Sequence, residues 1–221
     1  MSIRILIADD QEGIRSAFRM ILDAQPDMTV VAEAADGRTA IDTARAIEPD
    51  VVLADIRMPG ADGIEVVRAL ADTTVHVVVV TTFGHDEYVH AALRHGAAGF
   101  ILKRSGPTLL VEAVRAAMNG DMLISPQLTV QLLRDHGLPR DTPDRGRPDV
   151  ALTEREDDIV KLLADGRTNA EIAAELFLSP GTVKNHIATI QRKTGARNRV
   201  AIAAWAWATG RAEPAQRGRL P

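Results

Sequence analysis

Two short apolar runs of the chain stop at acid. Residues 3–10 read IRILIADD and residues 50–57 read DVVLADIR. Asp9, Asp10 and Asp55 therefore each follow a stretch with the composition of a buried strand. If the two runs lie parallel and adjacent, three carboxylates meet at the carboxyl edge of one sheet, where open α/β sheets place their chemistry. Three carboxylates within a few ångströms repel, and at neutral pH they need a cation or a shared proton. An oxygen-only donor set favours a hard ion such as Mg²⁺ (or Mn²⁺). These residues point to metal-assisted phosphoryl chemistry. The competing reading is bland: a single Asp after a strand usually caps a helix, and Asp10 taken alone reads that way.

The elements that must position these acids are legible as two alternating patterns. Short β-branched runs occur at 3–8, 28–33, 50–54, 75–81 and 98–102, and stretches with helical spacing at about 12–24, 37–47, 63–72, 86–95 and 107–119. Five strands alternating with five helices predict an α/β fold, a doubly wound five-stranded parallel sheet. VHVVVVTT (75–82) is apolar nearly throughout, as expected of a strand covered on both faces. Residues 125–135 suit one more helix. The segment DHGLPRDTPDRGRPD (135–149) has linker composition, with Pro139, Pro143 and Pro148 and almost nothing apolar. Fully extended it spans ~45 Å at ~3 Å per residue, enough to let two domains reorient.

Residues 152–209 carry no strand signal. Thr153 and Glu156 have the spacing of a reciprocal helix cap, and Ile159, Leu162 and Leu163 supply the apolar face. After Gly166, Asn169 leads a second helix with Ile172, Ala173 and Leu176 inward. Phe177-Leu178-Ser179 reads as a tight turn, and Ser179-Pro180 as an N-cap followed by proline at the first helical position. The third helix buries Val183, Ile187 and Ile190 and ends at Gly195. A fourth, apolar and alanine-rich, covers about 198–209. Two short helices joined by a tight turn, the second one basic, form a helix-turn-helix, so a small all-α domain is expected here. The tail from Glu213 reads as disordered.

Composition fits this division. The chain has 221 residues and a net charge of −4, but residues 1–148 balance at −6 and residues 149–221 at +2. No acid occurs between Glu175 and Glu213, while Lys184, Arg192, Lys193, Arg197, Arg199 and Arg211 lie in that gap. Opposite fields on the two halves suggest two different jobs. Cysteine is absent, which excludes disulfides and thiolate metal sites. No signal peptide and no apolar stretch of membrane-spanning length is present, so a cytoplasmic protein without a membrane partner is expected.

Residues 1–121 resemble a response-regulator receiver domain, of flavodoxin-like topology. The resemblance rests on Asp9-Asp10, on Asp55 in DIRMPGADG, on Thr81, and on Lys103 in GFILK, with matching spacing from Thr81 to Gly96 and from Phe100 to Lys103. It implies that Asp55 is the phosphoacceptor served by a sensor histidine kinase. It also implies that Asp9, Asp10, Asp55 and the backbone carbonyl of Arg57 hold Mg²⁺. Lys103 and Thr81 would bind phosphoryl oxygens, and Phe100 would turn inward beside Thr81 as the switch. Thr82 competes with Thr81 as the hydroxyl, and the register to Gly96 favours Thr81. Asp62 reads as a helix cap. His85, His90 and His95 recur every five residues, which does not stack them on one helix face, so they do not read as a zinc site. Arg104 departs from the Asp or Pro often found there in related chains, which puts the local loop geometry in question and leaves Lys103 intact.

Residues 150–212 resemble the LuxR-type helix-turn-helix of the NarL/FixJ group, on the run LTEREDDIVKLLADGRTNAEIAAELFLSPGTVKNHIATIQRKTGARNR. A helical wheel with Val183, Ile187 and Ile190 inward turns Asn185, Ala188 and Arg192 outward, flanked by Lys184. The resemblance puts this helix in the major groove of double-stranded DNA. Asn185 suits adenine, Arg192 guanine or phosphate, and Ala188 a thymine methyl. Thr182 and Lys184 suit backbone clamping, and Lys193, Arg197 and Arg199 salt-dependent attraction. Ala188 stands where relatives often carry a polar or basic residue, which weakens any guess at the operator. Trp205 and Trp207 sit on opposite sides of the last helix, so one is expected in the core and the other at an interface. A homodimer, formed on phosphorylation or on DNA, would read an inverted-repeat operator.

The reading as a whole is a transcriptional regulator switched by phosphorylation, with no enzyme activity beyond self-phosphorylation and autodephosphorylation. Residues 122–149 serve as helix and flexible linker. Two other classes compete. A Mg²⁺-dependent phosphatase is disfavoured by the attached DNA-binding run, and a ligand-sensing regulator without phosphoryl chemistry by the intact acidic set.

Overall fold

The computed structural model describes residues 2–82, 86–124 and 150–212. The expected helix at 125–135, the linker at 135–149, the tail from Glu213 and His85 lie outside those residues. The chain divides into two compact units, residues 1–135 and 136–221.

The first unit alternates strand and helix: β1 (Ile3–Ala8), α1 (Glu12–Asp23), β2 (Met28–Ala34), α2 (Gly37–Ile47), β3 (Val51–Asp55), α3 (Gly63–Leu70), β4 (His76–Thr81), α4 (Asp86–His95), β5 (Gly99–Leu102) and α5 (Pro107–Asn119), then a short strand β6 (Leu123–Ile124). The sheet order is β2-β1-β3-β4-β5-β6, with every neighbour parallel. Successive residues of a strand point to opposite faces. Ile5, Ile7, Leu53, Val78 and Val80 pack with α1 and α5, while Leu6, Ala8, Val52, Ala54 and Val79 pack with α2, α3 and α4. Both faces are therefore apolar, as the unbroken valine run of β4 foretold. Each such valine stabilises the fold by about 1.5–3 kcal/mol when fully buried.

The sheet has six strands where the sequence predicts five. β6 adds to the edge of β5, pairing Leu123 with Gly99 and Ile124 with Phe100. Two residues are too few to show alternation, so no periodicity could announce it. Backbone pairing makes the strand here, with Gly120 in the left-handed region (φ 76°) ending α5 and turning the chain back.

Among the described residues, two glycines are forced by close approach. A Cβ on Gly37 would lie 1.9 Å from the carbonyl oxygen of Ala61. A Cβ on Gly63, at the start of α3, would lie 2.3 Å from the carbonyl oxygen of Asp55. Gly63→Ala is expected to push α3 away from the end of β3 and lower stability by about 1–3 kcal/mol, as overpacking does. Urea denaturation of the full chain checks this; an unchanged midpoint refutes the forced contact.

The second unit is all-helical: α6 (Glu154–Ala164), α7 (Asn169–Glu175), α8 (Pro180–Thr194) and α9 (Arg199–Ala208). The Thr153–Glu156 capping box forms as predicted, and Thr168–Glu171 forms a second one ahead of α7. Ser179 caps α8 and Asn198 caps α9. Ile159, Val160, Leu163, Ile172, Val183, Ile187, Ile190 and Ile202 make the core. The turn between α7 and α8 is tight because Phe177 adopts a positive φ of 55° and Leu178 N–H bonds back to the Ala173 carbonyl at 2.8 Å, a Schellman-type stop. Trp205 and Trp207 are both half-buried and both pack against the same core.

Glu156 links this cap to α8. Burial by itself pushes its carboxyl up, but the Lys193 ammonium at 2.6 Å and the bonds from Thr153 outweigh it, holding the group below the usual glutamate value of 4.5. A lowered folded value means that the stability Glu156 contributes is present above the ordinary glutamate range and lost as pH falls through the lowered value. Glu156→Gln is expected to lower Tm at neutral pH and to flatten the acid limb of stability against pH, read by calorimetry. An identical acid limb in the variant refutes the assignment.

Candidate functional site

The carboxyl edge of the sheet gathers the predicted acids. β1 and β3 are parallel neighbours, pairing Ala8 with Ala54, so Asp9 and Asp55 emerge side by side. One oxygen from each of Asp9, Asp10 and Asp55 lies within 4.8 Å of the others, the one such group among the described residues. Asp9 and Asp55 are 2% and 5% exposed, while Asp10 is exposed. Asp10 is not a helix cap: the residue at the cap of α1 is Gln11, which makes no side-chain cap bond. Asp62, by contrast, does cap α3, in a full capping box with Glu65.

Lys103 reaches into this cluster from the end of β5. Its Nζ lies 2.6 Å from Asp9 Oδ2 and 2.9 Å from Asp55 Oδ2, with the side chain 8% exposed. The remaining oxygens are held by backbone: Gln11 N–H donates to Asp9 Oδ1 at 3.0 Å and Ile56 N–H to Asp55 Oδ1 at 2.8 Å. Burial pushes the Asp55 carboxyl up, Lys103 opposes that, and Asp9 adds to it, leaving Asp55 above its ordinary value of 3.8. Burial pushes the Lys103 ammonium down, but the two carboxylates more than reverse it. Three carboxylates against one ammonium leave an ionised site two charges negative. That deficit and the oxygen-only donors fit a hard divalent cation.

Thr81 ends β4 and is buried, while Thr82 is exposed. Phe100 is fully buried among the side chains that pack with α2, α3 and α4. Arg57 lies in the loop after β3, exposed, and Arg104 in the short 3₁₀ turn after β5, also exposed. A residue the sequence reading passed over is Arg15, whose Nη1 donates to the Asp9 carbonyl at 2.8 Å. Its signal was its place one turn into the first helix, six residues after the acid.

In the second unit, α8 presents Asn185, Ala188 and Arg192 exposed, with Thr182 and Lys184 half-exposed. Two further cations expected on the DNA side have internal partners. Lys193 pairs with Glu156, and Arg199 bonds to Asn169 Oδ1 at 3.3 Å and to the Arg167 carbonyl. Spacing alone could not show this, because the partners lie 30 or more residues away. Arg211 likewise pairs with Asp157 at 3.1 Å and lies over the Trp205 ring.

Comparison with known proteins decides what this pairing of units is. Residues 5–115 match the response regulator receiver domain, and residues 150–206 match the bacterial regulatory proteins of the luxR family. The chain belongs to the response regulators. It is a transcriptional regulator of the two-component type, joining a receiver domain to a LuxR-type DNA-binding domain. It is similar to the nitrate/nitrite response regulator NarL of Escherichia coli (strain K12), 37% identical over 91% of this chain and 93% of NarL. It is also similar to DesR of Bacillus subtilis (strain 168), 35% identical over 90% of this chain and 93% of DesR. Among solved structures, the response regulator ChrA of a heme-sensing two-component system matches with a TM-score of 0.51 and 36% identity, over 95% of this chain and 98% of that one. The curated relatives that this chain resembles include transcriptional regulatory proteins and response regulators. Among its described residues, no helix is long and apolar enough to cross a membrane.

Proposed function

We propose that this response regulator takes a phosphoryl group onto Asp55 from a sensor histidine kinase in the cytoplasm, and that the phosphorylated receiver, residues 1–121, controls DNA binding by residues 150–212. The observation that carries the reading is the Lys103 ammonium bonded to both Asp9 and Asp55 inside the acidic trio. A carboxylate oxygen of Asp55 attacks phosphorus, the P–N bond to the donor imidazole breaks, and the imidazole leaves with a proton, giving an acyl phosphate. Asp9, Asp10, Asp55 and the Arg57 backbone carbonyl would hold Mg²⁺ (or Mn²⁺). When bound, the ion supplies charge neutralisation at the transferring phosphoryl oxygens. Lys103 then exchanges its bond to Asp55 for one to a phosphoryl oxygen, Thr81 donates its hydroxyl to another, and Phe100 reports the change through the packing it fills. Loss of the phosphoryl group to water at the same site resets the switch.

The DNA-reading residues are Asn185, Ala188 and Arg192, with Thr182 and Lys184 clamping the backbone. Lys193 and Arg199 shape the domain and add field rather than contacts. The switch is a shift of population toward a homodimer, favoured by phosphorylation or by DNA, that reads an inverted-repeat operator. The size of the response is limited by the difference in stability of the two states. Labelled small phosphodonor tests the first step. Incorporation is expected with Mg²⁺ and to fall to background when the cation is chelated. Equal labelling in both conditions would overturn the metal assignment.

A further inference from the structure

We infer that Arg15 is a positioning residue for the acidic pocket: it ties the main-chain carbonyl of Asp9 to Glu33 at the end of β2, and so fixes where Asp10 sits. The inference rests on the proposed reading of Asp9, Asp10 and Asp55 as the cation site.

Asp9 is where β1 stops and the chain turns toward α1. Its N–H donates to the Ala34 carbonyl at 3.1 Å. Its carboxylate is fixed by Gln11 N–H and Lys103. Its carbonyl oxygen accepts from Arg15 Nη1 at 2.8 Å. That oxygen belongs to the planar peptide joining Asp9 to Asp10. Holding it sets the direction of the Asp10 N–H and the start of the Asp10 side chain. This matters because Asp10 is exposed and, among the described residues, its carboxylate has no hydrogen-bond partner of its own. The preceding peptide is what holds it near the other two acids.

Arg15 is in turn held. Its Nε donates to Glu33 Oε2 at 3.2 Å, and its side chain is only 15% exposed. Glu33 Oε1 accepts from Arg19 Nε, and Arg19 Nη1 donates to the Val30 carbonyl at 3.1 Å. One carboxylate on β2 thus braces two guanidiniums from successive turns of α1. Lysine carries its donors on one nitrogen and lacks the rigid fork by which Arg15 places Nη1 on the Asp9 carbonyl and Nε on Glu33.

Three roles for Arg15 give different results. A positioning role means that both Arg15→Lys and Arg15→Ala weaken Mg²⁺ binding, by about tenfold or more, as loss of a group that orients metal ligands does. A role through charge alone means that Arg15→Ala binds Mg²⁺ more tightly, because a positive charge beside the site is gone, while Arg15→Lys matches wild type. A role in folding alone means a lower Tm with Mg²⁺ affinity unchanged.

The test is calorimetric titration of Mg²⁺ into the full chain, metal-free at the start, for wild type, Arg15→Lys, Arg15→Ala, Glu33→Ala and Arg15→Ala/Glu33→Ala, with Tm measured alongside. We expect both Arg15 variants and Glu33→Ala to weaken binding, and the double variant to be no weaker than Arg15→Ala. That non-additivity is the mark of one residue acting through another. Phosphorylation by a small phosphodonor should be slowed in the variants at low Mg²⁺ and recover at saturating Mg²⁺. Unchanged or tighter binding in Arg15→Lys and Arg15→Ala overturns the inference. If Arg15→Ala does not fold, Arg15→Lys and Glu33→Ala decide alone. Failure of wild type to bind Mg²⁺ overturns the cation site itself, which is a separate result.

Discussion

Asp55→Asn is expected to abolish phosphorylation and, in metal-free buffer at neutral pH, to raise the melting temperature of the receiver. The first effect follows from chemistry. An amide oxygen is not a nucleophile toward phosphorus under these conditions, and no neighbouring carboxylate stands in the same place: Asp9 already accepts from Lys103 and from Gln11 N–H. Labelled phosphodonor should therefore leave the variant at background while wild type is labelled. Retained labelling would sink the assignment of Asp55.

The second effect follows from electrostatics. Asp55 is 5% exposed, and burial together with Asp9 raises its carboxyl above the ordinary aspartate value despite Lys103. A raised folded value means that the stabilising contribution belongs to the protonated group. It is present below the ordinary carboxylate range and lost as pH rises through the raised value. Asparagine keeps the shape, removes the repulsion from Asp9 and carries no charge to desolvate. Its one carbonyl oxygen accepts from Lys103 or from Ile56 N–H but not from both, and Lys103 keeps its bond to Asp9. The gap in Tm between variant and wild type should thus open from acid to neutral pH and close when Mg²⁺ is added to the wild type. A variant that melts below wild type throughout would contradict this account of the pocket.

Asn185→Ala is expected to carry the largest effect on DNA. A side-chain amide bonded twice to one adenine is worth about 1–3 kcal/mol of discrimination, so affinity for a strong site should fall about 10- to 100-fold with little change on random DNA. Lys184→Ala should instead weaken all sequences alike and reduce the slope of affinity against salt by about one. Lys193→Ala should act differently again. It strands the buried Glu156 carboxylate without its cation, so it should lower domain stability more than it changes the salt slope. Fluorescence anisotropy on a duplex selected by the wild-type protein, repeated across salt, separates these cases. If Asn185→Ala and Lys184→Ala behave identically, Asn185 does not read a base.

Much of this was legible in the sequence because each signal was local or periodic. The valine run at 75–82 reads as a strand covered on both faces, and β4 is one. Asp9 and Asp55 closed two such runs, so parallel pairing sufficed to bring them together. Thr153 with Glu156, and Ser179 with Pro180, announced their helix starts at fixed offsets. What was hidden depended on partners far along the chain. β6 is two residues long and is made a strand by its pairing with Gly99 and Phe100. Lys193 and Arg199 look like surface cations until the fold supplies Glu156 and Asn169. The Lys103 bridge to Asp9 joins elements whose separation no spacing rule encodes, whereas the Arg15 bond spans only six residues. That both Trp205 and Trp207 reach the same core, each half-buried, also depends on how α9 packs.

The sixth strand has a mechanical meaning. Ile124 stands one ladder rung from Phe100 and leans on the same apolar cluster. If Phe100 turns as the proposed switch requires, the backbone paired to it is that of Ile124, so β6 is the strand that must move with it.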